Sequence, residues 1–301
     1  MINQNNVTII VPVYNEDLAV DQAISELLEH FPGSEIIIVN DGSTDRTLEK
    51  IQRFNVKIIS HDVNKGYGAA LKSGIKAAAH DTIVTMDADG EHSASSIHGL
   101  LRSFDSCVMV VGQRIFYKKE NLIRMVGKRV LWQLANFAVG HQIPDINSGL
   151  RVFKKSAFQQ YLDMLPDTFS FHTTSTLLCI FSKSKIMYVP IETFERKGYS
   201  KVDLYSGIVS IKKIFQLTLF LRPIRAFLMV FLPVTLIIPC LFLILNVMTD
   251  QTHYLNAARI GFLALFVFVI LEILTKSDKN LILTKPFMPR TKANAKKNPS
   301  A

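Results

Sequence analysis

The chain has 301 residues, 49% of them apolar, and a formal net charge of +9, a length that predicts one or two domains. Its three cysteines, Cys107, Cys179 and Cys240, lie far apart in apolar surroundings, which excludes a disulfide framework and a cysteine metal site; the polar start running straight into a strand argues against a secretory signal peptide. The apolar excess and the charge both concentrate toward the C-terminus: after residue 275 seven Lys/Arg face one acid, Asp278, and behind an apolar segment such a tail marks the cytoplasmic side of a membrane better than a nucleic-acid partner.

Residues 7–11 are an apolar run stopping at Pro12, which predicts a first strand buried on both faces. Asn15 or Asp17 is expected to cap the next helix, whose Leu18, Ile24, Leu27 and Leu28 keep helical spacing up to Pro32-Gly33. Strands are predicted over 35–39, 56–60, 82–86 and 108–111, and helices over 44–54, 65–80 and 94–104, the second opened by Gly66 and Gly68. This alternation predicts an α/β fold, a doubly wound and mostly parallel sheet covered by helices on both faces. Ligands bind such sheets outside the carboxyl ends of the strands. Three polar motifs fall on that rim: Pro12-Val13-Tyr14-Asn15-Glu16, Asn40-Asp41-Gly42 and Asp87-Ala88-Asp89.

The last of these carries the chemistry. Alternation along an extended chain aims Asp87 and Asp89 the same way. Converging carboxylates repel unless a cation lies between them, and hard oxygen ligands suit Mg²⁺ or Mn²⁺ bound together with substrate phosphates. The motif therefore points to a metal-bound nucleotide diphosphate, against the plainer reading of a polar strand-to-loop turn.

Beyond residue 120 the pattern is less regular. Residues 121–139 read as helix, 145–153 as loop and strand around Asn147-Ser148-Gly149, 187–191 as a last strand and 195–201 as a basic loop. Residues 204–221 form a helix-length segment with Leu204, Ile208, Ile211, Phe215 and Leu219 on one face and Lys212 and Lys213 off it, expected to lie at a membrane surface. Residues 226–248 and 257–274 are each long and apolar enough to span a bilayer, joined by a short loop without Lys or Arg. Arg222, Arg225 and the basic tail flank the pair, so the N-terminal domain and both termini are expected in the cytoplasm. The expected organisation is a catalytic domain over 1–202, an interfacial helix over 203–223, two transmembrane helices within 224–275 and a basic tail over 276–301.

In order and spacing over residues 7–200, the motifs Val7 to Glu16, Asn40-Asp41-Gly42-Ser43-Thr44-Asp45, Asn64-Lys65-Gly66-Tyr67-Gly68 and Asp87-Ala88-Asp89-Gly90-Glu91-His92 resemble family-two glycosyltransferases of the GT-A fold. Asp145-Ile146-Asn147-Ser148-Gly149-Leu150-Arg151 and Arg196-Lys197-Gly198-Tyr199-Ser200-Lys201 are similar to the dolichyl-phosphate mannosyltransferase-like branch, and the two-helix C-terminal anchor to bacterial polyprenyl-phosphate glycosyltransferases. The resemblance implies transfer of one sugar from a nucleotide-diphosphate sugar to a polyprenyl phosphate at a membrane. It implies that Pro12, Tyr14, Glu16 and Asp41 hold base and ribose, with Lys65 and Ala88 in the same nucleotide-binding set. It implies that Asp87, Asp89 and Glu91 surround Mg²⁺ or Mn²⁺, and that Arg114, Arg124, Arg196 and Lys201 neutralise donor and acceptor phosphates. Position 91 is often Gln in the family, Arg196 stands one residue closer to Gly198 than in the mannosyltransferases, and Lys128 occupies a place where a small hydroxyl residue can occur.

A processive polysaccharide synthase of the same fold is the enzyme rival, but its Gln-x-x-Arg-Trp motif is missing: Trp132 follows Arg129-Val130-Leu131. A non-catalytic, scaffolding subunit is the rival from another class, and the intact Asp87 and Asp89 speak against it. A homo-oligomer is compatible with the sequence, and no nucleic-acid partner is expected.

Overall fold

The computed structural model describes residues 4–115, 122–195, 204–249, 260–263 and 267, without the side chains of 4, 122–124, 204–206, 230–236, 238 and 245–249. The chain divides into two compact units, and residues 122–143 group with 207–284 rather than with the N-terminal unit.

The N-terminal unit is built on a seven-stranded sheet. In chain order its strands are β1 (Val7–Val13), β2 (Glu35–Asn40), β3 (Lys57–Ser60), β4 (Thr82–Thr85), β5 (Met109–Arg114), β6 (Arg151–Lys154) and β7 (Ile186–Ile191), in the spatial order β3-β2-β1-β4-β6-β5-β7. All pairings are parallel except those of β6, which runs antiparallel between β4 and β5. The helices are α1 (Val20–His30), α2 (Thr47–Ile51), α3 (Tyr67–Ala77), α4 (Ser96–Arg102), α6 (Lys155–Phe158) and α7 (Phe171–Phe181), α5 (Leu122–Val139) lying in the second unit.

Every residue of β1 is buried, as a strand with helices on both faces requires. Ile9, Val11 and Val13 join Val20, Ile24, Leu27, Ile51 and Leu100 in the main core. On the other face Ile10 meets α3 at Gly74, where a Cβ would lie 2.5 Å from Ile10 Cγ2.

Several expected boundaries shift, each for a local reason. Pro12 does not stop β1: it pairs with Val39, and β4 runs beside β1 only as far as Ile10, so the missing N–H costs no ladder bond. Helix α2 is five residues long, much shorter than 44–54, and starts late because residues 43–45 are drawn into side-chain bonds described below. Neither Asn15 nor Asp17 caps α1, which opens at Ala19 without a side-chain cap, and Leu18 is exposed rather than on the buried face. Helix α7 has no counterpart among the expected elements. Its Thr173-Thr174-Ser175-Thr176 run is poor in helix propensity, and near-complete burial overrides that preference.

The second unit contains α5, α8 (Leu204–Leu221, from Gly207 on) and α9 (Pro223–Thr249). Arg225 Nη1 donates to the Phe137 carbonyl at 2.8 Å, tying α9 to α5, and Trp132 Nε1 donates to Ile143 O at 2.7 Å. Along α8 the buried positions are Ser210, Ile214 and Thr218, while Ile208, Ile211, Leu219 and Phe220 are exposed. The apolar stripe expected on α8 is therefore not its buried face. Among the described residues, no helix is long and apolar enough to cross a membrane. The first apolar stretch lies within the 27-residue α9, and the second falls outside the described residues except at 260–263 and Val267.

Candidate active site

The parallel register pairs Val13 with Asn40, so β1 and β2 end flush and their loops meet. The backbone N–H groups of Asn15, Glu16 and Asp17 donate to Ser43 Oγ at 3.0 Å, Thr47 Oγ1 at 2.8 Å and Asp45 Oδ2 at 3.3 Å. In return Asn15 Oδ1 accepts from the Thr44 N–H at 2.8 Å, with Asn15 at φ +50°, a region this residue type tolerates. Pro12 is buried at the end of β1, Tyr14 and Glu16 are half-buried on the loop after it, and Ala88 is buried in the core.

Asp41, only 2% exposed, organises the next loop. Its Oδ1 accepts from Lys65 N at 2.9 Å and its Oδ2 from Gly66 N at 2.8 Å, while the Lys65 side chain is exposed. His61 Nδ1 lies 2.6 Å from Asp41 Oδ1, and His61 Nε2 2.9 Å from Ser73 Oγ on α3. The start of α3 is closed by a distant segment: Gly68 N and Ala69 N donate to Asp167 O at 2.8 and 3.2 Å. Gly66, at φ +104°, permits this approach, since a Cβ there would lie 2.4 Å from that oxygen. The amides at this helix start are thus spent within the protein.

The two aspartates lie beyond β4. The antiparallel register pairs Thr85 with Arg151; carried two residues on, it sets Asp87 opposite Gly149. A Cβ at Gly149 would lie 2.1 Å from Asp87 Oδ2, so the carboxylate occupies the space that a side chain would fill. Thr85 Oγ1 donates to Gly149 O at 2.8 Å and fixes the approach. Asp87 Oδ1 accepts from the Tyr67 hydroxyl at 2.6 Å, and Tyr67 Oη lies 2.8 Å from His172 Nε2 on α7. Asp89 is buried, its Oδ1 accepting from Glu91 N at 2.9 Å. Burial pushes the Asp87 carboxyl upward and the charge of Asp89 pushes the same way.

Asp87 and Asp89 thus form a pair of hard oxygen donors, in which the charge of Asp89 works against ionisation of Asp87. This donor set fits Mg²⁺ or Mn²⁺, which takes one or two carboxylates and fills its remaining positions with water and phosphate oxygens. Glu91, the third expected ligand, has its Oε1 3.5 Å from Arg114 Nη1. Among the described residues no group of three or more His, Cys, Asp and Glu could hold a metal ion.

Arg114 is turned toward Asp145, donating from Nε to Oδ2 at 2.8 Å and from Nη2 to Oδ1 at 3.0 Å. Asp145 also accepts from the N–H groups of Asn147 and Ser148, both at 3.1 Å. Burial works against its charge, but the Arg114 bonds and charge outweigh that and hold its carboxyl below the ordinary range. At the other end of this motif Arg151 is fully buried. It donates to Ser148 O and Ile146 O at 2.7 Å, His172 O at 3.1 Å and Thr176 Oγ1 at 2.6 Å. Burial pulls its pKa to about 10, so it stays a cation at neutral pH. Asp145 and Arg151 thus shape the loop that presents Gly149 to Asp87.

Of the other expected basic residues, Arg124 lies on α5 with its side chain outside the description, and Arg196 and Lys201 lie outside the described residues. Lys128 is exposed on α5. Sequence reasoning passed over Tyr67 as a hydroxyl donor, Asp145 as the partner of Arg114, and His172 altogether.

Residues 8–162 match the family model described as glycosyl transferase family 2. The chain is 33% identical over 213 residues to the UDP-N-acetylglucosamine–dolichyl-phosphate N-acetylglucosaminyltransferase of Methanococcus voltae, covering 62% of this chain and 84% of that protein. It is 25% identical over 214 residues to the dolichyl-phosphate hexose transferase of Haloferax volcanii, covering 69% and 92%. Among solved structures it is similar to glucosyl-3-phosphoglycerate synthase from Mycobacterium tuberculosis in complex with Mn²⁺, UDP-glucose and glycerol 3-phosphate, with a TM-score of 0.57 and 16% identity over 70% of this chain and 79% of that one. At that identity the likeness shows the fold.

Proposed function

Because the chain belongs to glycosyl transferase family 2 and is a glycosyltransferase of the GT-A fold, we propose that it transfers a single sugar from a nucleotide-diphosphate sugar to a polyprenyl phosphate, with inversion, at the cytoplasmic face of a membrane. The observation that carries this reading is the Asp87–Asp89 pair, the first half-buried and the second buried, on the same rim as the Asp41 loop. The named dolichyl-phosphate transferases among its relatives support the acceptor class.

Asp87 and Asp89 would hold Mg²⁺ or Mn²⁺, which when bound neutralises charge on the departing nucleotide. Pro12, Tyr14, Glu16, Asp41, Lys65 and Ala88 line the nucleotide side, where the interlocked loops after β1 and β2 are ordered in advance. Arg114 supplies fixed positive charge at the rim while bracing Asp145 and Glu91; Arg124, Arg196 and Lys201 bring two anions together. A sugar hydroxyl acceptor needs a base to take its proton. A phosphate monoester, with a second pKa of about 6, is mostly a dianion near neutral pH and needs none. Direct in-line attack without an enzyme nucleophile inverts the anomeric centre, so an α-linked donor yields a β-linked lipid-phosphate sugar.

For the membrane, the sequence pattern of the apolar stretches 226–248 and 257–274 supports a spanning hairpin, and the exposed Ile208, Ile211, Leu219 and Phe220 of α8 support an interfacial helix. The Lys/Arg asymmetry supports cytoplasmic placement of the catalytic domain and both termini.

The deciding experiment incubates detergent-solubilised protein with a panel of nucleotide sugars and undecaprenyl or dolichyl phosphate, and weighs the lipid product. A single added sugar in β linkage is expected from an α donor. A polymer, an α-linked product, or transfer only to free saccharide would refute the reading.

A further inference from the structure

We infer that Tyr67 and His172 are positioning residues for the aspartate pair: a hydrogen-bond relay from His172 through Tyr67 holds the Asp87 carboxylate in the orientation the structure shows, in which it would hold the metal. The inference rests on the metal reading above.

The direction of the relay follows from proton counting. A phenol has one proton, and Tyr67 gives it to Asp87 Oδ1 at 2.6 Å. The 2.8 Å contact with His172 Nε2 must then be an N–H donated to the phenol oxygen. That places the imidazole proton on Nε2 and leaves Nδ1 bare. Nδ1 is buried and has no hydrogen-bond partner among the described residues. A buried ring that leaves one nitrogen unsatisfied carries a cost, which the Tyr67 contact offsets.

Packing restricts the relay to one geometry. The Tyr67 ring stacks on Phe169 with centroids 5.2 Å apart and meets His172 edge-on at 5.3 Å. Arg151 binds the His172 carbonyl and so fixes the start of α7 against the loop that carries Gly149. Asp87 is thereby held from two sides: Tyr67 takes Oδ1, and the bare α-carbon of Gly149 stands against Oδ2. Three segments far apart in sequence converge to fix one carboxylate, and hydrogen bonds in such a chain strengthen one another. Outer partners of a metal-binding carboxylate change metal affinity by about 10–100-fold when removed.

The test is Mn²⁺ affinity of the full chain in detergent, read from the electron paramagnetic resonance signal of free Mn²⁺. Tyr67→Phe keeps the stacked ring and removes the hydroxyl, and is expected to weaken Mn²⁺ binding about 10-fold. His172→Leu should weaken it less, and His172→Gln, whose amide N–H can stand where Nε2–H stood, should restore wild-type affinity. With Tyr67→Phe already present, His172→Leu should cost nothing more, because its effect passes through the phenol. Wild-type affinity in Tyr67→Phe, or a full additional loss in the double variant, would overturn the relay. Should Tyr67→Phe fail to fold, equal Mn²⁺ affinity of His172→Leu and His172→Gln would overturn it instead. A wild-type chain that transfers sugar but binds no Mn²⁺ would end the metal assignment and this inference with it; a wild type that binds, with Tyr67→Phe matching it, would end the inference alone.

Discussion

The two halves of the rim are finished to different degrees. On the side of β1 and β2 both Asp41 oxygens accept backbone N–H groups, and three successive amides of the 15–17 turn meet side chains of residues 43–47. On the side of β4 the half-buried Asp87 and buried Asp89 lie two residues apart, and His92 and His172 each keep a ring nitrogen without a partner among the described residues. The first half is complete as protein and needs no ligand to be ordered. The second brings two carboxylates together whose charge a bound cation would offset. Under the proposed function, a site divided this way would hold the nucleotide against the β1–β2 loops and place the carboxylates where the bond breaks.

The sharpest way to break this contrast is Asp89→Ala. Transfer activity should fall by about 10²–10³-fold or more, as for removal of a main electrostatic stabiliser, while circular dichroism and melting temperature stay near wild type. A chelator should do the same to the unaltered protein, and full activity in either condition would show that the two halves do not differ as described.

Gly149→Ala should come next. Its Cβ would meet Asp87 Oδ2 at 2.1 Å, and displacing that carboxylate by about 1 Å is expected to cost about 10²-fold in kcat. Donor KM should change much less, because the nucleotide side is untouched; an equal rise in KM would mean that the halves are coupled.

Asp145→Asn tests the support behind the second half. Removing the charge from the Arg114 bonds should destabilise the fold by about 2 kcal/mol at neutral pH. The Asp145 carboxyl is depressed in the folded state. Its contribution is therefore present above the unfolded carboxylate value of about 3.9 and disappears as pH falls from there through the lower folded value. The gap between wild type and variant in chemical denaturation should narrow on acidification; a constant gap would show that charge is not the cause.

Asp41→Asn has the smallest expected effect. One backbone N–H would face an amide instead of a carboxylate oxygen, a loss of about 1 kcal/mol. Melting temperature should drop by about 2–4 °C, with donor KM raised more than kcat is lowered. A loss of kcat as deep as that of Gly149→Ala would erase the distinction between the halves.

What the sequence by itself determined is what local rules govern. Alternating apolar runs and their turn residues specify β1 to β5, and the carboxyl-end rule then brings Asp41, Asp87 and Asp89 to one rim. Side-chain period and hydrophobic burial act over a few residues, so they can be read along the chain. What only the tertiary structure decided depends on contacts between distant segments. The insertion of antiparallel β6 between β4 and β5 puts Gly149 opposite Asp87, and no periodicity announces that direction. Tyr67 and His172 stand 105 positions apart, and α7, written in β-branched residues, becomes a helix through burial. Arg114 and Arg151 look alike as surface cations in a linear chain. In the fold one braces a buried aspartate and the other is sealed among carbonyls, because an arginine's role follows from which acceptors the surrounding backbone leaves within its reach.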